Sequence, residues 1–523
     1  MQNDYSLASI IYRVSLKTPD KTALIIPKVF KQKIKYFEKV SYSDFWNRVS
    51  EISYGLKQCF KPGDKVSVLI DISVDLYALV IAMLACEITP VFLDPGMGRK
   101  NLKSAINSIE LNKFVGTKSL LKYRWFLPRF WRKKFYSLNS SGILVKRLNL
   151  QPELLLPSQI NSKEQTALIS FTSGTTGVPK GANRTFYSLF HQHIALRKSF
   201  PDTTNDIDMT CFPIAVLHGL CCGITNFLPP INFKKIDNFQ SDLIIRELEA
   251  QSITRLTAAP KFLNILTDYM INKEIVNINI RALAAGGAIV KESLVKKLQV
   301  CFPNSDSWIV YGSTEAEPMA KINFKTFVNN NQNASGHLVG KSVDVAAIKI
   351  IDTNKLNINL LPEEISSLEV ENGQVGELIV SGKHVLNSYI NNMKANNEIK
   401  LKLNDGTTWH RTMDLAKFDN EDNLWLYGRV NDLIKYEDTI IYPFEVEKEL
   451  NKHKINGAIV QTKNKITLFI ESKKSVTNSL DKKIQQVLSS FKINNIKIRN
   501  INLLPVDKRH RSKIDRSKLR SKI

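Results

Sequence analysis

Through residues 20–350, short apolar runs alternate with amphipathic stretches, and that alternation leaves few architectures open to the chain. The runs Lys65–Ile72, Pro90–Leu93, Ala167–Phe171, Asp208–Phe212, Arg255–Ala258, Arg281–Ala285 and Ser307–Val310 have the length and composition of buried strands. Leu243–Ala250 and Lys291–Val300 between them read as amphipathic helices. Strand–helix alternation of this kind predicts parallel α/β layers. From Val343–Ile351 to Gly376–Ser381 the pattern becomes denser in short strands, as in a smaller β-rich subdomain. It changes again after Gly428-Arg429, where Ala458–Gln461 and Lys465–Glu471 read as strands and Lys482–Phe491 as a helix. At 523 residues the chain is too long for one core. The expected fold is therefore α/β: a large N-terminal domain, residues 1–428, of layered α/β subdomains plus a β-rich subdomain, followed by a small α+β C-terminal domain, residues 429–523.

Composition excludes several classes. The longest apolar stretch, Leu76–Cys86, falls short of the roughly 18 residues a membrane-spanning helix needs and is closed by Glu87, so it reads as a buried helix. Met1–Tyr5 lacks the basic-then-apolar layout of a secretion signal. The six cysteines include no C-x-x-C pair and sit mostly in apolar surroundings. Reduced, buried thiols in a cytoplasmic protein are expected, without a disulfide framework or a zinc site. The net charge of +24 has two readings: lysines spread over solvated faces, or attraction to anions such as a nucleotide, coenzyme A, an acidic carrier protein or anionic lipid. Nucleic acid is not expected as a partner, because the chain carries no recognised nucleic-acid module. Residues 122–136 mix basic and aromatic side chains. They suit either peripheral contact with the inner face of a membrane or rings packed on the domain with basic stems reaching outward.

After the apolar run Ala167–Phe171 comes Thr172-Ser173-Gly174-Thr175-Thr176-Gly177-Val178-Pro179-Lys180-Gly181. Glycines free the backbone to curl, small side chains let N–H groups approach a phosphate, hydroxyls add donors, and Lys180 adds a positive charge. The stretch is built for a polyphosphate. It is not a Walker A loop, which needs glycine before the lysine, where Pro179 stands.

Further along lie Ala284-Ala285-Gly286-Gly287-Ala288, Tyr311-Gly312-Ser313-Thr314-Glu315, Trp409-His410-Arg411-Thr412-Met413-Asp414, Gly428-Arg429-Val430-Asn431-Asp432-Leu433-Ile434-Lys435 and Lys513-Ile514-Asp515-Arg516. Together with the loop, this ordered set resembles the AMP-forming adenylating enzymes: acyl-CoA synthetases, adenylation domains and luciferases. The resemblance spans nearly the whole chain. It implies an enzyme that joins a carboxylic acid to ATP, with Mg²⁺ offsetting the charge of two reacting anions. By this resemblance Thr172, Ser173, Gly174, Thr175, Thr176, Gly177 and Lys180 hold the β- and γ-phosphates. Glu315 is the Mg²⁺ ligand, Thr314 touches the α-phosphate, and Gly286, Gly287 and Tyr311 wall the adenine. Asp414 accepts from the ribose hydroxyls, a role suited to two acceptor oxygens, and Arg429 supports ribose or phosphates. Taken singly, Asp414 and Arg429 each have a lesser reading as an ordinary surface ion pair, which falls away sharply because both keep their places in the ordered set. Lys513 matches the lysine that bridges carboxylate and α-phosphate. The family's small domain rotates after adenylation, a hinge motion absorbed by few residues; Asn431 occupies the hinge position, usually Asp or Lys.

The element Tyr311–Pro318, Pro90–Lys100, Ser388-Tyr389 and the tail from Pro505 to Ile514 look like the fatty-acid-CoA-ligase-like branch that contains the β-lactone synthetases of olefin biosynthesis. That branch implies a fatty or 3-hydroxy fatty acid substrate. The second step then gives a thioester with coenzyme A or an acyl carrier protein, or a β-lactone closed by the substrate's own hydroxyl, where orientation alone is needed. Many coenzyme A ligases carry glycine where Asp438 stands, and R-T-G-D appears here as Arg411-Thr412-Met413-Asp414, so the local turn is expected to differ. Pro213–Leu220 falls where the family lines its acyl pocket; His218 and Gly219 belong to it. His218 reads equally as a gate, a group steering the carboxylate, or a hydrogen-bonded wall histidine. No aspartate in that stretch is available to pair an amino group, which argues against amino-acid activation. A nucleotide-binding protein without catalysis is the reading from another class, and pathway enzymes are further candidate partners.

Overall fold

The computed structural model describes residues 4–30, 33–94, 97–117, 133–139, 145–172, 179–233, 239–330, 335–352, 364–437, 439–462, 465–472, 478–494, 496–506 and 514–523. Its α/β layers begin with a sheet in the order Val145–Arg147, Lys134–Ser137, Lys113–Gly116, Lys65–Leu69, Thr89–Phe92, Thr166–Thr172 and Lys180–Thr185. Neighbours are parallel except the last pair, an antiparallel hairpin in which Thr172 faces Lys180. The apolar stretch at 76–86 is the helix Val74–Ala85, which buries every residue except Asp75. Ser73 caps it by accepting from the Leu76 N–H at 3.2 Å. A helix apolar on all sides must lie between layers, and this one packs within the same core as Trp46, Val49 and Leu220.

A second parallel block has the order Thr225–Phe227, Ile207–Thr210, Arg255–Ala258, Ala282–Gly286 and Asp306–Ser313. Helices Ser241–Ala250 and Glu292–Cys301 bury Ile244, Leu248, Leu294 and Leu298 against it. The hairpin Thr22–Phe30 with Lys33–Ser41 joins its edge. Beyond Asp306–Ser313 the sheet turns antiparallel through Ala316–Asn323, His337–Ser342, Leu424–Arg429, Thr408–Phe418, Gly376–Ser381 and Ala347–Ile351. This is the β-rich part. Its expected strand Val343–Ile351 starts later, at Ala347, because Asp344 and Val345 form a turn.

Past Gly428 the chain builds a separate core from Ile434, Val446, Leu450, Ile459, Leu468, Ile484 and Leu488. The three-stranded sheet Gly457–Thr462, Lys465–Glu471 and Lys497–Ile501 carries it, with helices Pro443–Lys452 and Asn478–Ser490. Buried Arg516 ties its end together: Nη1 donates to Glu447 Oε1 at 2.7 Å, and Nε lies 3.3 Å from Asp432 Oδ2. This part docks on the rest through Phe444 against the His337 ring (centroids 5.2 Å), Tyr442 against Tyr427 (5.5 Å) and Lys291 donating to Asn451 at 2.9 Å.

Most of the basic aromatic segment, residues 122–132, lies outside the described residues. In its described end, Phe135 and Tyr136 are buried on an inner strand, Phe135 stacking on Phe114. Among the described residues no helix is long and apolar enough to cross a membrane.

Candidate active site

The nucleotide-binding candidates gather at the carboxyl ends of the second block's parallel strands, where such sheets place their ligands. Gly286 ends the strand Ala282–Gly286 and Tyr311 lies near the end of its neighbour Asp306–Ser313. A Cβ on Gly286 would stand 2.9 Å from the Val310 carbonyl oxygen, so only glycine lets these backbones approach. Gly287 follows at φ +81°, against the Phe212 ring.

Tyr311, Asp414 and Arg429 meet there. The Tyr311 hydroxyl donates to Asp414 Oδ2 at 2.6 Å, and Arg429 Nε stands 2.7 Å from Asp414 Oδ1. Register explains the second contact, since Asp414 and Arg429 are direct partners across the ladder of Thr408–Phe418 with Leu424–Arg429. Arg429 also donates to the Thr412 carbonyl at 3.3 Å. Asp414 holds the Arg429 guanidinium above its ordinary pKa, and burial followed by the Asp414 charge raises the Tyr311 phenol.

Met413, beside Asp414, has φ +61°. Where the family's pattern has glycine, the backbone here is in the left-handed conformation that favours glycine, and methionine occupies it at a cost of about 1 kcal/mol.

Facing this cluster is Glu315, in the tight link between Asp306–Ser313 and Ala316–Asn323. Its carbonyl accepts from the Leu386 N–H at 2.8 Å, and its Oε1 accepts from the Tyr389 hydroxyl at 2.8 Å. Thr314 is fixed by its carbonyl, which accepts from Arg184 Nη2 at 3.0 Å. The Glu315 charge also contributes to raising the Arg429 pKa.

Tyr389 carries two ammonium groups near its ring, those of Lys180 and Lys400, each 5.5 Å from the centroid. Lys180 is buried at the start of its strand, and burial lowers its pKa against the pull of Glu315 and Glu398. Lys400 is 4 % exposed, donates to the Leu386 carbonyl, and is brought down by burial to about 7. Tyr389 itself is pinned to the loop's hairpin: it bridges Ala182, and the next N–H, of Ile390, donates to the Gly181 carbonyl at 2.9 Å. His410, directly across the ladder from Lys400, is held neutral by burial and by the cations Lys400, Lys180 and Arg429.

The expected set is thus brought together at Lys180, Gly286, Gly287, Tyr311, Thr314, Glu315, Asp414 and Arg429. Ser173, Gly174, Thr175, Thr176 and Gly177 lie outside the described residues, as do Asp438 and Lys513; of Thr172 only the backbone is described. Lys400 and the Tyr389–Glu315 bond went unread in the sequence, because their partners come from strands far apart in the chain. Asn431 is exposed in a short 3₁₀ turn, Val430–Asp432, and its carbonyl accepts from Arg520 at 3.0 Å. Gly219, in the helix Ala215–Cys222, faces Asn226: a Cβ there would fall 1.9 Å from Asn226 Oδ1. His218 contacts His193.

A family model described as AMP-binding enzyme matches residues 12–390. The chain belongs to the AMP-binding enzyme family. Relatives of this AMP-binding enzyme include the olefin beta-lactone synthetase of Xanthomonas campestris pv. campestris, 24% identical, covering 98% of this chain and 96% of that one. The acyl-CoA ligase sidI of Aspergillus fumigatus is 27% identical over 69% of this chain and 59% of its own. Among solved structures, the amide bond synthetase McbA of Marinactinospora thermotolerans aligns with a TM-score of 0.79 at 19% identity, covering 99% of this chain and 100% of that one. The O-succinylbenzoate coenzyme A synthetase (MenE) of Bacillus subtilis, solved with ATP and magnesium ion, aligns with 0.76 at 19%, covering 98% and 99%. These likenesses establish the two-part α/β adenylating fold.

Proposed function

We propose that this enzyme joins a fatty or 3-hydroxy fatty acid to ATP, forming an acyl-adenylate and releasing pyrophosphate. The acyl group then passes to the thiol of coenzyme A or an acyl carrier protein. The observation that carries this reading is the Tyr311–Asp414–Arg429 cluster at the strand ends. Asp414 has one oxygen bonded to Tyr311 and the other to Arg429, which fixes the carboxylate plane while each oxygen keeps a lone pair for a ribose hydroxyl. The missing side chains of Gly286 and Gly287 leave a flat surface for adenine. Glu315 fits a Mg²⁺ ligand, as a half-buried carboxylate whose backbone is fixed by Leu386 and whose one oxygen is oriented by Tyr389. When bound, Mg²⁺ offsets the polyphosphate charge. Lys180 adds a cation at the loop's end, and Lys513 is assigned the bridge between carboxylate and α-phosphate. In the first step a carboxylate oxygen attacks the α-phosphorus and pyrophosphate departs. Residues 429–523 are proposed to move as one unit about Asn431 between the steps.

A second reading, β-lactone synthesis, is supported by similarity to the olefin beta-lactone synthetase over 98% of the chain, against 69% for sidI. There the substrate's 3-hydroxyl oxygen would attack the acyl carbon, AMP would leave, and the hydroxyl proton would pass to solvent. Mass spectrometry of products separates the readings. The enzyme is given ATP, Mg²⁺ and paired long-chain acids with and without a 3-hydroxyl, each with and without coenzyme A. Acyl-CoA from either acid supports the thioester reading. AMP with a dehydrated product from the hydroxy acid alone supports the lactone. If none of these acids releases AMP, the fatty-acid assignment fails.

A further inference from the structure

A second group of chemistry-bearing side chains collects away from the nucleotide cleft, between the helices Phe186–Ser199 and Ala215–Cys222. His193 Nδ1 and His218 Nδ1 are 3.0 Å apart, and Cys222 Sγ is 3.5 Å from Nε2 and 3.9 Å from Nδ1 of His218. His218 and Cys222 are four residues apart and so share one helix face. One ligand atom from each of the three residues falls within 4.8 Å of the others. Asp202 acts electrostatically on the Cys222 thiol and on His193, but its carboxylate lies outside the 4.8 Å group. Its Oδ1 is buried without a hydrogen-bond partner among the described residues.

This donor set suits a transition metal. A tetrahedral ion with bonds of about 2.0–2.1 Å to nitrogen and about 2.3 Å to sulfur separates its ligand atoms by roughly 3.3–3.7 Å. With Nδ1 as the His218 ligand atom, the observed separations are 3.0 Å to His193 Nδ1 and 3.9 Å to Cys222 Sγ, on either side of that spacing. A neutral imidazole offers one ring-nitrogen lone pair for coordination. Burial first, then Asp202, raise the Cys222 thiol, so the ion must displace its proton: the S–H bond breaks, a sulfur–metal bond forms, and H⁺ leaves. The thiolate offsets one of the two charges of a divalent ion. Arg197 lies near enough to favour the thiolate.

We propose that His193, His218 and Cys222, with water completing the coordination, bind a divalent transition-metal ion of the Zn²⁺ or Co²⁺ class, separately from the Mg²⁺ position assigned to Glu315. Nitrogen and sulfur donors select such ions over Mg²⁺, which takes oxygen ligands. Occupancy ties the two helices together and fixes the His218 ring. The absence of C-x-x-C spacing hid the site, because its ligands come from two separate helices.

The test uses the full-length protein, stripped with chelator and returned to excess Mg²⁺, titrated with Co²⁺. One equivalent should produce d–d bands of tetrahedral intensity and a thiolate-to-cobalt charge-transfer band, both removed by Zn²⁺. Cys222→Ser should abolish the charge-transfer band, and His193→Gln should weaken binding by roughly tenfold or more. Absence of the band in the wild-type protein, or its survival in Cys222→Ser, overturns the proposal. X-ray absorption on the Zn²⁺-loaded wild-type protein needs no variant to fold. One sulfur and two imidazole scatterers are expected, and a shell of oxygen alone overturns the site. None of these readouts depends on adenylation.

Discussion

The hydroxyl of Tyr389 donates to Oε1 of Glu315 at 2.8 Å, linking residues 74 positions apart in the chain. Tyr389 is therefore the group that sets the angle of the carboxylate assigned to Mg²⁺. Hydrogen bonds to charged groups contribute about 1.5–3 kcal/mol. Tyr389→Phe should raise the Mg²⁺ concentration needed for half-maximal pyrophosphate release by roughly tenfold, while Glu315→Gln should lower kcat by roughly 10²–10³-fold. An unchanged Mg²⁺ dependence in Tyr389→Phe would mean the bond orients nothing.

Asp414 should couple its two partners. Because Tyr311 and Arg429 hold the same carboxylate, Tyr311→Phe and Arg429→Gln are expected to be non-additive in the KM for ATP. The double variant should depart from the sum by about 0.5–3 kcal/mol. Steady-state kinetics of the four proteins measures it, and strict additivity would mean that each partner acts alone.

Lys400 predicts a pH-dependent stability. Its pKa falls from an ordinary 10.5 to about 7 on folding. Between those values the unfolded chain binds more protons, so its contribution to stability rises with pH from about 7 to 10.5. Below about 7 the folded protein carries the whole cost of a buried ammonium, a few kcal/mol at most. Lys400→Met should therefore melt higher than wild type at pH 6 and lose that advantage toward pH 10. Thermal melts of both proteins over this range decide it, and a constant difference would remove Lys400 as the cause.

Arg516 carries the small domain's buried charge. Arg516→Ala leaves Glu447 and Asp432 without it, a change expected to cost about 3–5 kcal/mol. Limited proteolysis should then cut within residues 429–523 first. Equal resistance in variant and wild type would contradict this.

Two backbone positions give opposite signs. Met413→Gly relieves a φ of +61° and should stabilise by up to about 1 kcal/mol. Gly219→Ala drives a methyl into Asn226 Oδ1 and should destabilise by about 1–3 kcal/mol, with partial recovery when Asn226→Ala is added. Denaturant midpoints test both.

Much of the fold was legible because buried strands advertise themselves. Arg255–Ala258, Gly376–Ser381 and Lys465–Glu471 have the bounds their apolar runs imply. The hairpin Thr22–Ser41 was not read, since Lys33, Lys35 and Lys39 obscure its alternation. In the site, motif order located Glu315, Asp414 and Arg429. No spacing rule could find Lys400 beside Tyr389, or His193 beside His218, because those contacts exist only once separate elements have packed. Met413 stands out in the sequence by departing from the R-T-G-D pattern, but its left-handed backbone is visible only in the structure.

The strand Lys180–Thr185 is bonded on one side to Thr166–Thr172 and on the other to residues 388–390, with Asn183 also donating to Ser388. It works as a seam sewn from both edges. Prising apart the first sheet and the β-rich part would have to tear these bonds, so they form one fixed jaw around the nucleotide. The movement proposed for residues 429–523 would leave this seam whole and release instead the contacts by which they dock, among them Phe444 on His337, Tyr442 on Tyr427, Lys448 over Trp425 and Lys291 to Asn451.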